Sequence, residues 1–183
     1  AATPGQAVAF LAGLKADKNF RPSGWQNTVT PLLRHRIPFI RALAMESIPV
    51  PLNATSIEFV AAGIKDGYQP VQGAACNLAA KAKLPRFSQP LQELLRTTSN
   101  EWLLNSAFDA AATCGANMDT LLGMLVDRLD PVNKEWNMRV LQLLVHGTVS
   151  TGSYGFRNDI DWQHALPTMR RAWLDFIKEN RGE

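Results

Sequence analysis

Apolar positions recur at helical spacing in four segments of this chain that echo one another: Pro38 to Ile48, Gly67 to Ala80, Trp102 to Ala110 and Trp136 to Leu144. Each reads apolar, then polar, then small or apolar, as one face of a helix does. Anchored on Ile40, Val71, Leu104 and Met138, each followed by a polar residue (Arg41, Gln72, Asn105, Arg139), the segments lie 31, 33 and 34 residues apart. A period of that length predicts stacked helical pairs, because one helical hairpin cannot bury its apolar face without its neighbours. Small Ala and Gly residues in the segments allow close approach of consecutive helices. No segment alternates as a half-buried strand does, so the predicted fold class is all-α, a superhelix of antiparallel helix pairs.

Pro4 to Lys15 predicts a first helix with Val8, Leu11 and Ala12 as its stripe and Phe10 and Leu14 flanking. A loop over 16–24 follows, then helices over 26–36 and 38–47, the second opened by Pro38 in a first-turn position. Two capping boxes, Thr55 with Glu58 and Thr98 with Glu101, predict helices from Ser56 to Lys65 and from Trp102 to Thr113. Between them fall a helix from Pro70 to Lys81 and a short one capped by Ser88 and running to Thr97. Gly115 closes the Trp102 helix, Asn117 or Asp119 caps the next as far as Leu129, and Asp130-Pro131 opens another to Val149. The stretch 147–158 is the richest in glycine and hydroxyls; lacking a preceding strand and a Lys-Ser/Thr pair, it reads as a loop rather than a phosphate cradle. A closing helix from Asp159 or Asp161 to Asn180, bent or divided at Pro167, brings Trp162, Trp173, Phe176 and Ile177 over the end of the stack. The predicted organisation is one domain: a cap over 1–24, about four helix pairs over 25–149, and a closing loop and helix over 150–183.

The line from Pro70 to Leu78, Pro-Val-Gln-x-x-Ala-x-x-Leu, resembles the second helix of bacterial HEAT-like repeats, which belong to the armadillo-type folds. The likeness covers about residues 27–149 and is one of fold. It implies that the second helix of each pair lines a concave face. It also implies that Arg41, Gln72, Asn105 and Arg139, at one shared position, hydrogen-bond within the stack more readily than they touch a ligand. The tetratricopeptide period is similar, but its Trp, Gly, Tyr and Phe signature is absent.

Composition narrows the function classes without naming an activity. With 183 residues and 46% hydrophobic content, the chain can bury one substantial core. No apolar run approaches the roughly 20 residues that span a bilayer, so the chain is expected to be soluble. It opens on Ala1 rather than Met, which fits a mature exported protein after signal removal or a domain of a longer one, and leaves the compartment open. Two cysteines, Cys76 and Cys114, are too few for a disulfide framework and lack metal-site spacing, and read as small apolar residues on helices. Their offset in the repeat register disfavours a bridge between them. His35, His146 and His164 have no ligand-spaced partners, so no metal is expected. No nucleophile motif or paired carboxylate stands out, so an ordinary enzyme is disfavoured and no cofactor is expected.

Polar residues on the second helices fall at shared-face spacing: Asn77 with Lys81, Asn105 with Asp109, and Arg139 with Gln142 and His146. These seven residues are the predicted partner-binding surface, and the first hypothesis is a protein-binding scaffold or regulatory module without enzymatic activity. Charge is uneven along the chain, with six Lys/Arg against two acids in residues 1–50 and three against six in 101–150, a polarity that can orient a charged partner. Two alternatives rest on resemblance: a HEAT-like DNA-binding or base-excising protein, prompted by five Trp residues, and a HEAT-like lyase binding a chromophore. The acidic third quarter repels phosphate and counts against the first of these.

Overall fold

A computed structural model describes residues 3–17, 22–130 and 132–147, with further helical positions at 167, 168, 170–172 and 175. Among the described residues there is helix and no strand. Nine α-helices are bounded there: α1 (Pro4–Ala16), α2 (Trp25–Leu32), α3 (Pro38–Glu46), α4 (Ala54–Ile64), α5 (Gln69–Ala82), α6 (Ser88–Thr97), α7 (Glu101–Thr113), α8 (Met118–Asp127) and α9 (Lys134–Gly147). A single 3-10 turn, Pro85–Phe87, precedes α6. No helix among them is long and apolar enough to cross a membrane.

The helices pair in chain order, α2 with α3, α4 with α5, α6 with α7 and α8 with α9. The second members form a row, α3 on α5, α5 on α7, α7 on α9, while α4, α6 and α8 form another, and α1 lies against α3. One continuous apolar core runs between the rows, with Ile40, Val71, Leu104 and Leu144 among its fully covered side chains. Small residues set the spacing: Ala74, Ala75, Ala79, Ala107 and Ala111 are buried. At Gly63 an added Cβ would stand 2.5 Å from the Met45 methyl carbon and 3.0 Å from the Ala75 Cβ. In close-packed interiors such a contact forces a shift.

The starts of α4, α7 and α8 are set by Asn, and at α4 and α7 it takes the place of the hydroxyl residue expected from the sequence. The Asn53 side chain accepts from the Ser56 N–H, so α4 begins at Ala54, and Glu58 pairs instead with Arg86 at 2.7 Å. Asn100 accepts from the Leu103 N–H and Asn117 from that of Thr120. The Thr98 hydroxyl accepts instead from the Asn100 N–H. Asn caps at least as well as Thr and lies next to each observed start, so the two expected capping boxes do not form. A reciprocal box does form at Thr3 and Gln6, opening α1. Ser88 is the first residue of α6 rather than its cap, its hydroxyl taken by Gln92.

Three further expectations are corrected. Helix α2 ends at Leu32 instead of running to Arg36, because the chain tightens into turns in which Arg34 and His35 donate to carbonyls three residues back. Helix α9 starts at Lys134 rather than at Asp130: the Asp130 carboxylate is engaged by the Val132 and Asn133 N–H groups, and the Asn133 side chain then receives the Trp136 N–H. On α1 the buried stripe is Ala7, Leu11 and Leu14, with Ala12 exposed. The end of α7 is as expected. Gly115 takes φ +83°, and the N–H of Ala116 reaches back to the Ala111 carbonyl at 2.9 Å, the six-to-one bond of a glycine-terminated helix. The expected 148–158 loop, the start of the closing helix and Trp162, Trp173, Phe176 and Ile177 lie outside the described residues.

Candidate functional site

Each of α5, α7 and α9 packs on its chain-order partner on one side and on its row neighbours laterally, which leaves the side opposite the partner open as far as the described helices go. Their exposed polar residues include Asn77 and Lys81 on α5, Asp109 on α7 and Gln142 on α9. No hydrogen bond or ion pair among the described residues joins the α5 pair to Asp109, so these side chains stand open to solvent rather than locked in a ladder. Asn105 is half-buried, and its side-chain oxygen is covered without a hydrogen-bond partner among the described residues. Arg139, also half-buried, donates to Gln142 at 3.1 Å and holds its Nε 3.6 Å from Glu101 across the α7–α9 seam. The side chain of His146 lies outside the described residues.

The four residues expected at one shared position divide in two. Arg41 turns inward, forking onto both Asp66 oxygens at 2.8 Å and donating to the His35 carbonyl at 2.9 Å. The Arg41 guanidinium is held above its ordinary pKa, chiefly by the Asp66 hydrogen bond, against burial. Burial works against the Asp66 charge, yet the Arg41 hydrogen bonds, the Tyr68 N–H and the Arg41 charge outweigh it and hold the carboxyl below its usual range. Gln72 reaches the Ile64 carbonyl at 3.5 Å, the limit of a hydrogen bond. Both residues thus answer carbonyls at or just beyond the end of a preceding helix, which otherwise lack partners. Arg128 does the same for α6, donating to the Arg96 and Thr98 carbonyls. Its guanidinium lies 4.8 Å from the Trp136 ring centre, and burial lowers its pKa. The Trp136 indole N–H in turn donates to the Arg128 carbonyl at 2.7 Å.

Two aromatic residues on the open side were not assigned to it from sequence. Phe39 on α3 is 51% exposed and Trp102 on α7 is 54% exposed. The Trp102 ring reaches over α5, where an added Cβ at Gly73 would stand 2.0 Å from the ring edge. The signal was legible in a glycine inside a helix, which marks close approach more often than flexibility. Trp136, at the equivalent repeat position, is buried at the end of α8 as a packing residue.

Among the described residues no group of three His, Cys, Asp or Glu is placed to hold a metal ion. Cys76 and Cys114 are free and buried. The Cys76 thiol is pushed up to about 12 by burial, with Cys114 adding to it, and the Cys114 thiol, also raised by burial, donates to the Ala79 carbonyl at 3.3 Å. Neither supplies a thiolate at neutral pH. Cys114 sits one residue beyond the end of α7 rather than within it. No protein-family model, no curated protein and no solved structure matches this chain.

Proposed function

We propose that this chain is a HEAT-like α-solenoid of antiparallel helix pairs that binds another protein through a concave face built from α3, α5, α7 and α9, as a scaffold or regulatory module rather than an enzyme. The two rows of helices, each second helix against the next, support the solenoid reading. The observation that carries the binding reading is the open side of α5, α7 and α9, where Asn77, Lys81 and Asp109 have exposed side chains that bond no other side chain among the described residues. A surface residue with no structural task is free to meet a partner, and the half-exposed Trp102 and Phe39 add the aromatic area that dominates protein interfaces.

The test is affinity capture from the source extract with the wild type and with a variant carrying Asn77, Lys81, Asp109 and Gln142 all changed to Ala, followed by mass spectrometry. All four side chains are exposed, so the variant should fold. A protein retained by the wild type alone supports the face. Identical captures overturn its placement, and a salt-dependent shift with duplex DNA or a coloured ligand carried through purification would put a nucleic-acid or chromophore partner in its stead.

A further inference from the structure

The first helices of the pairs are not evenly packed. Helix α4 lies against α6 and α6 against α8, whereas α2 leans on α3 and makes no comparable contact with α4. Helix α2 has only eight residues, with Pro31 near its end. The gap left between α2 and α4 forms two adjoining cavities of about 330 and 370 Å³ that share Leu33, Thr55 and Phe59. Each falls in the range of small-molecule sites, about 300–1,000 Å³.

The larger cavity has an apolar floor and a single uncompensated charge. Leu33, Met45 and Val71 form the buried floor, and half-buried Phe59 stands in the wall. Three ionised side chains line it: Arg34, Glu58 and Asp66. Both carboxylates are engaged, Glu58 by Arg86 at 2.7 Å and Asp66 by Arg41 at 2.8 Å. Among the described residues no carboxylate pairs with Arg34, whose guanidinium is held 5.3 Å from the Phe59 ring centre. The cleft therefore offers apolar area that gains by leaving water, beside a cation already oriented by an aromatic ring.

We propose that this cleft binds a small apolar anion, a carboxylate or sulfonate on an aromatic or short aliphatic body. Its apolar part lies on Leu33, Met45 and Val71, and its charge meets Arg34. A cationic ligand is disfavoured because both carboxylates are already neutralised. The site lies between α2 and α4, away from the exposed residues of α5, α7 and α9, and goes beyond the protein-binding reading.

The probe is 8-anilinonaphthalene-1-sulfonate, titrated into the full 183-residue chain and followed by fluorescence, with decanoate and decanol as competitors. Arg34→Gln should weaken the probe about tenfold, the loss of one charge-assisted contact, while Arg36→Gln, an exposed neighbour outside the cleft, leaves it unchanged. Thr55→Trp, at an exposed position lining both cavities, should fill the cleft and abolish binding without lowering the melting temperature. Decanoate should displace the probe and decanol should do so at least about tenfold less well. Arg34→Gln and Thr55→Trp binding the probe as the wild type does would overturn the site, and equal competition by decanol and decanoate would overturn the anion. The quadruple alanine variant of the open face should keep the probe, which separates this test from that of the protein-binding face.

Discussion

At the scale of single residues, the strongest polar commitment is Arg41 with Asp66, whose side chains are 19% and 15% exposed and joined by two bonds of 2.8 Å. This pair lies between the exposed kind, worth at most about 1 kcal/mol, and the fully buried kind, whose breaking costs about 3–5 kcal/mol. Asp66→Asn should therefore cost about 2 kcal/mol in urea unfolding at pH 7. The pH dependence has a definite sign. The folded carboxyl is held below its unfolded value, so the stability it confers is full above the unfolded value of about 4 and disappears as pH falls through the folded one. Between about pH 5 and the folded pKa, Asp66→Asn should thus lose less stability than the wild type does, and an acid limb of unchanged slope would contradict the pair's role. The inward turn of Arg41 and Gln72 was legible from the shared repeat position. Its acceptors were not: Asp66 lies in the turn between α4 and α5, where repeat register says nothing about contact.

At the scale of elements, the existence and order of the nine described helices were legible, and boundaries depended on which of several nearby polar residues capped each helix. Thr55 and Thr98 satisfied a three-residue spacing with Glu58 and Glu101, but Asn53 and Asn100 each lay two positions nearer or farther and took the backbone N–H. A spacing rule cannot rank two eligible caps, because the winner depends on where the preceding chain places its backbone. Pro49 and Pro51 constrain that placement before α4. The ranking is measurable. Asn53→Ala should cost about 1 kcal/mol, whereas Thr55→Ala, an exposed residue inside the first turn, should stay within about 0.5 kcal/mol. Equal losses at the two positions would restore Thr55 as the cap. Of the two caps the sequence offered for α8, Asn117 and Asp119, it is Asn117 that accepts from the Thr120 N–H.

At the scale of the whole molecule, each interval of 31 to 34 residues spans one helix and its chain-order partner with their turns. Helix α5 is the seam of that arrangement, touching α3, α4 and α7 but lacking any comparable contact with α8 or α9. Ala75 on α5 is fully covered and faces the small-residue contact with Gly63. An aspartate there would bring a charge into a fully covered, close-packed site, at a cost of several kcal/mol, a large share of the roughly 5–15 kcal/mol of a typical domain. Ala75→Asp should therefore strip hydrogen-exchange protection from α3, α4 and α5. In the proposed stack α8 and α9, which contact each other and carry the buried Leu125, Val126, Val140 and Leu144, should keep partial protection. Uniform loss across α3 to α9 would mean one indivisible core and would contradict the proposed solenoid. A melting temperature equal to that of the wild type would contradict the burial of Ala75 itself.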